Sequence, residues 1–516
     1  MSILLNEKQQ LAITKISNFV SQDTDKMFYL MGYAGTGKTF LIGKIIKKFL
    51  ATNTMDHIFV CAPTHQALKV IESYLKANLS PVEQINFIPK ISFMTIHKLL
   101  EFKPVIMAED GSKIFKSTKE SKFLKQMEDK LVVIDECSMI AKEMIGDLKK
   151  YTELYPIKVI YMGDQKQLPP PGEPESLLFT TIPPKYKHYI LLDQVMRTNS
   201  TDIKDVCTII RKWNQKESLP KLLLPIHNRK NSKKTFRLFH KKKNHLESSW
   251  FKYFIKKLDA SDIPIILTWR KETSNTYNTL IRKHVHKSNN LNNYIIGDYA
   301  MFNNFYTSVE DGSSFYTADM IKIIDIETEE KLLYDWSKMI ISLSPKEQLV
   351  LETSFPGITD PKNIIDKAIN TMLNKISKQN NKFRIDTFTV ERIHSDITSI
   401  VKGKTYTVKT IHRDDLDNYQ KMLNFTKEHI EFFFKKYKTE KIISNMWDIY
   451  HKKLIEPYAA LNFGYSITTH KAQGSTFSTV IVDVQDISEN PNINELQKAL
   501  YTAAGRAANE LGFLLG

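Results

Sequence analysis

The sequence is poor in cysteine: only Cys61, Cys137 and Cys207 occur, too few and too scattered for a disulfide framework or a zinc site, and a reducing interior suits them best. Long apolar runs are missing as well. No uninterrupted stretch approaches the roughly 18 apolar residues needed to cross a bilayer, and the opening MSILLNEKQQ has no basic segment followed by an apolar one. Neither secretion nor membrane insertion is expected, which leaves the cytoplasm as the expected location and no membrane as a partner. There is no internal repeat, low-complexity tract or coiled-coil pattern. Acidic side chains are outnumbered, 57 Asp and Glu against 73 Lys and Arg, and the formal charge of +16 favours a polyanionic partner such as nucleic acid without saying which polyanion. Core material is ample: 42% hydrophobic and 25% charged residues exclude a disordered or collagen-like chain, and 516 residues exceed one ordinary core.

Roughly the first 165 residues alternate helix-like and strand-like stretches, the pattern of a parallel sheet covered by helices. Apolar runs at Met27 to Met31, His57 to Ala62, Leu131 to Ile134 and Val159 to Met162 each end in polar or glycine-containing residues, where active groups of such sheets gather. Between the second and third of these runs, PVIMAEDGSKIF carries an Asp-Gly turn signal, read as a small inserted hairpin or as an ordinary surface loop. After Pro183 a second α/β-like region begins, with IILTW at Ile265 to Trp269 and VIVDV at Val480 to Val484 as buried-strand candidates. These lie far apart, so the stretch from Asp319 to Asn445, with its shorter β-like runs and charged helical segments, is expected to be an inserted domain. From Arg229 to Lys243 there are eight Lys or Arg and no acid, either a solvated face or a phosphate-contacting strip.

Gly32-Tyr33-Ala34-Gly35-Thr36-Gly37-Lys38-Thr39 satisfies GxxxxGK[ST] and falls after a strand-like run and before a helix-like one. There the backbone N–H groups of the loop, from Gly32 through Ala34, Gly35, Thr36 and Gly37, close around phosphates. The helix N-terminus adds its positive end, Lys38 neutralises β- and γ-phosphate charge, and the Thr39 hydroxyl ligates magnesium. ATP or GTP is the expected ligand. Leu131-Val132-Val133-Ile134-Asp135-Glu136 delivers two carboxylates to a strand end: Asp135 for Mg2+, directly or through water, and Glu136 for orienting and deprotonating the attacking water. Such a pair also occurs as a helix cap. Beside a phosphate loop it argues for hydrolysis, and no acceptor-site signature of a kinase is present. Cys137 reads as packing, because a buried thiol is inert.

The ordered set of motifs resembles the superfamily 1B helicases, the RecD-like branch that includes the Dda helicase of T-even phages. Leu5 and Gln9 in LNEKQQ resemble the Q motif, whose glutamine reads the adenine edge and makes ATP the preferred nucleotide. Ala62-Pro63-Thr64-His65-Gln66-Ala67 resembles motif Ia and Thr95-Ile96-His97 motif Ib, both of which touch the single-strand backbone in the family. Asp135 to Met139 resembles motif II, and Gly163 to Leu168 motif III, with Gln167 sensing the γ-phosphate. Gln194-Val195-Met196-Arg197-Thr198 resembles motif IV, with Arg197 approaching the γ-phosphate. His470-Lys471-Ala472-Gln473-Gly474-Ser475 resembles motif V, and Tyr501 to Ala507 motif VI, whose arginine, Arg506, acts as a finger. Without the motifs, Arg197 and Arg506 read as surface ion-pair residues. Motif VI usually has Ser or Thr before its arginine; Gly505 stands there, which puts turnover rate in doubt.

The resemblance implies an α/β fold of two RecA-like motor domains, 1–101 with 129–183 and 184–318 with 446–516. The hairpin at 102–128 matches in position the pin that splits base pairs, and 319–445 matches an SH3-like insertion. It implies an ATP hydrolase that moves 5′ to 3′ on single-stranded DNA and opens forked duplex DNA, acting as a monomer in replication or repair. Further partners are a single-strand binding protein or replication and recombination proteins, in the cytoplasm or, for a phage- or virus-encoded chain, that of the host. Pro63, Thr64, His65, Thr95, His97, Thr469, His470 and Lys471 are the expected strand contacts; for the hydroxyls and imidazoles the competing reading is loop capping. Trp269 reads as core more than as a stacking residue. An RNA helicase, a protein-clearing translocase and a non-hydrolysing nucleotide-gated binding module remain the alternatives.

Overall fold

The structure is a computed structural model. It describes residues 5–22, 24–116, 130–170, 172–180, 186–196, 200–214, 216–230, 234–260, 262–289, 291–336, 339, 361–378, 382–394, 399–437 and 440–516.

The first α/β unit is a six-stranded parallel sheet in the order Ile91–Thr95, His57–Ala62, Lys130–Ile134, Ile157–Gly163, Met27–Gly32, Tyr189–Leu192. Its central strands are continuous apolar runs because helices cover both faces. One of those helices, Lys38–Ala51, turns Leu41, Ile42, Ile45, Ile46, Phe49 and Leu50 inward at helical spacing, while Lys44 and Lys48 stay exposed. The last strand of the sheet runs to Leu192, so this unit extends past the border expected at residues 183 and 184.

The second unit is a five-stranded parallel sheet in the order Ser466–Thr468, Ile265–Thr268, Phe477–Asp483, Ala507–Leu515, Phe236–His240. IILTW and VIVDV are therefore neighbours, Ile265 opposite Val480, with the insertion between them in sequence. Together the two sheets form the paired RecA-like architecture that the motif order implies.

The insertion is built on an antiparallel sheet in the order Ser399–Ile411, Lys382–His394, Met320–Leu332, Tyr299–Phe302, Leu461–Phe463. It thus begins before residue 319 and closes after 445. Beside its β core lies a helical one, where Leu416–Tyr437, Glu440–Ile449 and the π-helical turn Tyr450–Ile455 bury Trp447, Met446, Ile443 and Leu454.

Lys103–Ile106 and Lys113–Lys116 form the expected antiparallel hairpin; residues 117–128 of that segment lie outside the described residues. The turn holds because Gly111, with φ +65°, adopts a conformation that L side chains rarely take, and a Cβ there would lie 2.4 Å from the Trp447 ring. Trp447 Nε1 donates to Ala108 O at 3.1 Å, and His451 Nε2 lies 2.9 Å from Gly111 O. Lys113 pairs with Glu456. The hairpin tip is thereby seated in the helical core of the insertion.

The basic run is partly neutralised by acids distant in sequence. Arg229 pairs with Asp202 and Asp205, Arg237 with Glu510, and Lys241 with Asp483. For these three residues the run is a paired face; residues 231–233 lie outside the described residues.

Candidate functional site

The strand Met27–Gly32 feeds a loop in which Gly35 and Gly37 hold φ of 76° and 82°, and the helix begins at Lys38. Positive φ at these two glycines fits the tight turn of an anion cradle, in which the Ala34 and Thr36 amides donate to Tyr501 Oη and Tyr33 O. Lys38 Nζ donates back to Gly32 O at 2.6 Å, and Thr36 Oγ1 to Tyr33 O at 2.8 Å. The cavity, of about 330 Å3, is lined by Gln9, the loop from Ala34 to Thr39, Asp135, Glu136, Gln167 and Arg506. Ten positions named from the motifs outside the loop's glycines, on both motor halves, therefore face one space: Gln9, Ala34, Thr36, Lys38, Thr39, Asp135, Glu136, Gln167, Met196 and Arg506. Arg197 and Thr198 lie outside the described residues.

Two buried oxygens in this cavity, Glu136 Oε2 and Gln167 Oε1, have no hydrogen-bond partner among the described residues. Buried polar atoms of this kind are costly unless something else satisfies them, and both residues line the space expected for a γ-phosphate and its attacking water. Glu136 also holds a left-handed φ of 50°, a strained value for a non-glycine residue. Asp135 is buried, and its Oδ1 accepts from the Glu136 amide at 2.8 Å. The hydroxyl of Thr39 and the carboxylate of Asp135 form an all-oxygen donor set, which fits a hard cation such as Mg2+ that takes its other ligands from phosphates and water. Cys137 is buried beside this pair, and burial together with the Asp135 and Glu136 charges raises its thiol pKa well above the ordinary value, so it packs and does not react.

The second unit closes the cavity through side chains whose roles the motifs did not specify. Tyr501 Oη accepts from the Ala34 amide at 2.9 Å and donates to Asp164 Oδ2 at 2.8 Å. Burial raises the Asp164 pKa. Leu168 N donates to Thr502 Oγ1 at 3.1 Å, and Gln473 Nε2 to Leu168 O at 3.0 Å. The Arg211 guanidinium lies 3.7 Å from the Tyr33 ring centroid. Arg506 is held by carbonyls of its own half, Thr502 O and Ser475 O, each at 3.2 Å. Gly505 has a steric reason to be there: a Cβ would sit 3.1 Å from Ala34 Cβ. Phe40, Val70 and Tyr74, three residues no motif indicated, complete the lining together with Met196 of motif IV.

A second cavity, of about 350 Å3, brings Pro63, Thr64 and His65 of the first half to His470, Lys471 and Gln473 of the second. Thr64 also caps the helix His65–Asn78 by accepting from Ala67 N, so capping and exposure to the groove coexist. Thr95, His97 and Thr469 do not line this groove. Thr95 caps the helix Ile96–Leu99, and His97 packs against Phe102 and the hairpin's Phe115. Thr469 is fully buried, its hydroxyl donating to Thr268 O at 3.1 Å. Trp269 is half-buried, its ring 4.9 Å from that of His470.

Comparisons with known proteins agree with this division. Residues 17–173 match the family described as AAA domain, and residues 463–514 match the UvrD-like helicase C-terminal domain. The first match lies in the unit that carries the phosphate loop and the second in the unit that carries Arg506, so the chain joins a P-loop domain to a segment similar to a UvrD-like helicase C-terminal domain. The chain is 51% identical over 512 residues to the uncharacterized protein R530 of Acanthamoeba polyphaga mimivirus, covering 99% of this chain and 100% of that one, and it belongs to the same family. It is also 27% identical to the uncharacterized protein MJ1519 of Methanocaldococcus jannaschii, covering 93% of this chain but only 36% of that protein. Among solved structures, Pif1 helicase from Candida albicans aligns over 100% of this chain and 95% of its own, at 16% identity and a TM-score of 0.45. Pif1 helicase from Bacteroides in complex with ADP-AlF3 and ssDNA aligns over 99% and 92%, at 16% identity and a TM-score of 0.44. Among the described residues no helix is long and apolar enough to cross a membrane.

Proposed function

We propose that this protein is an ATP-dependent DNA helicase of superfamily 1B that moves 5′ to 3′ along single-stranded DNA and separates the duplex ahead of it. The observation that carries the reading is a shared seam. The nucleotide cavity and the groove holding Thr64, His65, His470 and Lys471 both draw residues from the same two motor halves. Opening and closing driven at one cavity therefore alters the other.

Lys38 and the loop amides bind the phosphates, and Gln9 reads the base. Glu136 holds and deprotonates the attacking water through its Oε2, which has no partner among the described residues. Gln167 senses the γ-phosphate, and Arg506, delivered from the other half, stabilises the transferring phosphoryl once the cleft closes; Arg197 is assigned the same task. Thr39 and Asp135 hold Mg2+, which neutralises charge on the β- and γ-phosphates when bound. Along the groove, uncharged hydroxyl and imidazole donors with Lys471 grip the strand's phosphates, so binding weakens as salt rises. The hairpin seated on Trp447 is the wedge.

Steady-state ATP hydrolysis with single-stranded DNA, with RNA of the same length and with neither tests the reading. Strong stimulation by DNA alone, abolished in Glu136→Gln, is expected. Equal stimulation by RNA would remove the preference for DNA, stimulation by RNA alone would make it an RNA motor, and hydrolysis unchanged in Glu136→Gln would remove the assigned base.

A further inference from the structure

The insertion reaches the seam between the motor halves through the short hairpin Tyr306–Thr307 and Ser314–Phe315 and the turn after it. Two rings from this segment, Phe305 and Tyr316, line the groove opposite the motif residues. Tyr316 stacks on His65 with centroids 3.9 Å apart and planes at 24°, and Phe305 lies 5.4 Å from Tyr316. Phe305 is 59% exposed.

This arrangement is held firmly. Tyr316 N donates to Asp319 Oδ2 at 3.0 Å, and Lys69 of the first motor half donates to both Asp319 oxygens at 2.9 and 2.8 Å while its ammonium stands 4.8 Å over the Tyr316 ring. Ala318, between them, has φ +69°, a strained value for a non-glycine residue that persists only where its surroundings impose it. Lys471 Nζ donates to Asn303 Oδ1 at 2.5 Å on the other side of the segment.

The chemistry facing the groove is therefore the exposed Phe305 ring, the Tyr316 ring already stacked on His65, the His470 imidazole and the Lys471 ammonium, and the neighbouring Asp319 carboxylate is paired with Lys69. An occupant that alternates planar apolar rings with negative charge matches this set; an acidic peptide would leave the rings unused. We propose that Phe305 and Tyr316 form a base-stacking platform for single-stranded nucleic acid, contributed by the insertion to the strand groove of the motor. The inference rests on the strand-binding reading above and adds what that reading lacks, contacts to the bases as well as to phosphates.

The test compares binding of the full chain to an oligothymidylate and to an abasic oligomer of equal length by fluorescence anisotropy, at fixed salt. Stacking strengthens binding by roughly tenfold per base engaged, so the wild-type chain is expected to prefer oligothymidylate by about that factor or more. Phe305→Ala should lose most of this preference, Tyr316→Leu should reduce it, and Phe432→Ala, on an exposed helix of the insertion, should keep it. Circular dichroism on each variant establishes that the fold is intact; should Tyr316→Leu unfold, the exposed Phe305 decides the matter alone. A preference retained in Phe305→Ala overturns the platform, as does equal wild-type binding of the two oligomers, which would leave a groove that reads phosphates only. Binding of neither oligomer by the wild-type chain would instead overturn the strand-binding reading itself.

Discussion

The hydroxyl of Tyr501, on the second motor half, accepts a hydrogen bond from the backbone N–H of Ala34 in the phosphate loop of the first, at 2.9 Å. The same hydroxyl donates to Asp164, so one oxygen ties loop, sheet end and opposing domain together. Tyr501→Phe leaves a loop amide and a buried carboxylate without that partner, a cost of about 1–3 kcal/mol. The expected result is a kcat for ATP hydrolysis lowered by roughly one order of magnitude, with KM changed less. An unchanged kcat would mean the bridge is incidental to turnover.

Arg506→Ala removes the positive charge that the second half brings to the cavity. Transition-state arginines of this kind are worth about 10³–10⁵ in kcat. Turnover should fall by at least about a hundredfold while a fluorescent ATP analogue still binds. Loss of binding in step with turnover would make Arg506 a ground-state contact.

Gly111→Ala addresses the hairpin. The new Cβ meets the Trp447 ring and adopts a disfavoured φ, so the tip must leave its seat while the Trp447 core stays whole. Strand separation is expected to fall several-fold more than DNA-stimulated ATP hydrolysis. Equal loss of both would make the hairpin a structural element of the motor and not a wedge.

Several partly buried histidines are expected to lower stability in acid. His57, His65, His97, His451 and His470 all have pKa values lowered by burial from the ordinary 6.5. A depressed folded pKa gives stability that is fully present above the unfolded value and is lost as pH falls through the folded one. The melting temperature should therefore be level above about pH 7 and drop as pH falls below about 6.5. A melting temperature that holds or rises over that window would contradict the burial of these rings.

Much of the candidate site's cavity was legible because its signals are local. Gly35 and Gly37 are needed where φ is positive, Lys38 opens the helix, and Asp135 and Glu136 follow an apolar strand, all within short stretches of chain. What escaped was the pairing of distant segments, which periodicity does not encode. The four-residue strand Tyr189–Leu192 pairs with Met27–Gly32, which moves the first unit's edge past residue 183. Tyr299–Phe302 pairs with Leu461–Phe463 across the whole insertion, which moves both of its borders. The positive run from Arg229 was ambiguous because Asp202, Asp483 and Glu510, which neutralise part of it, lie elsewhere in sequence. Thr469 was among the expected strand contacts, yet its hydroxyl is turned to Thr268 O, a choice that only packing makes.

The most direct test of the account is ATP-dependent separation of a forked duplex by the full chain, comparing a substrate with only a 5′ single-stranded tail against one with only a 3′ tail. The account predicts rapid separation from the 5′ tail and little from the 3′ tail, with both abolished in Glu136→Gln. Separation from the 3′ tail alone, or none from either tail despite DNA-stimulated hydrolysis, would contradict it.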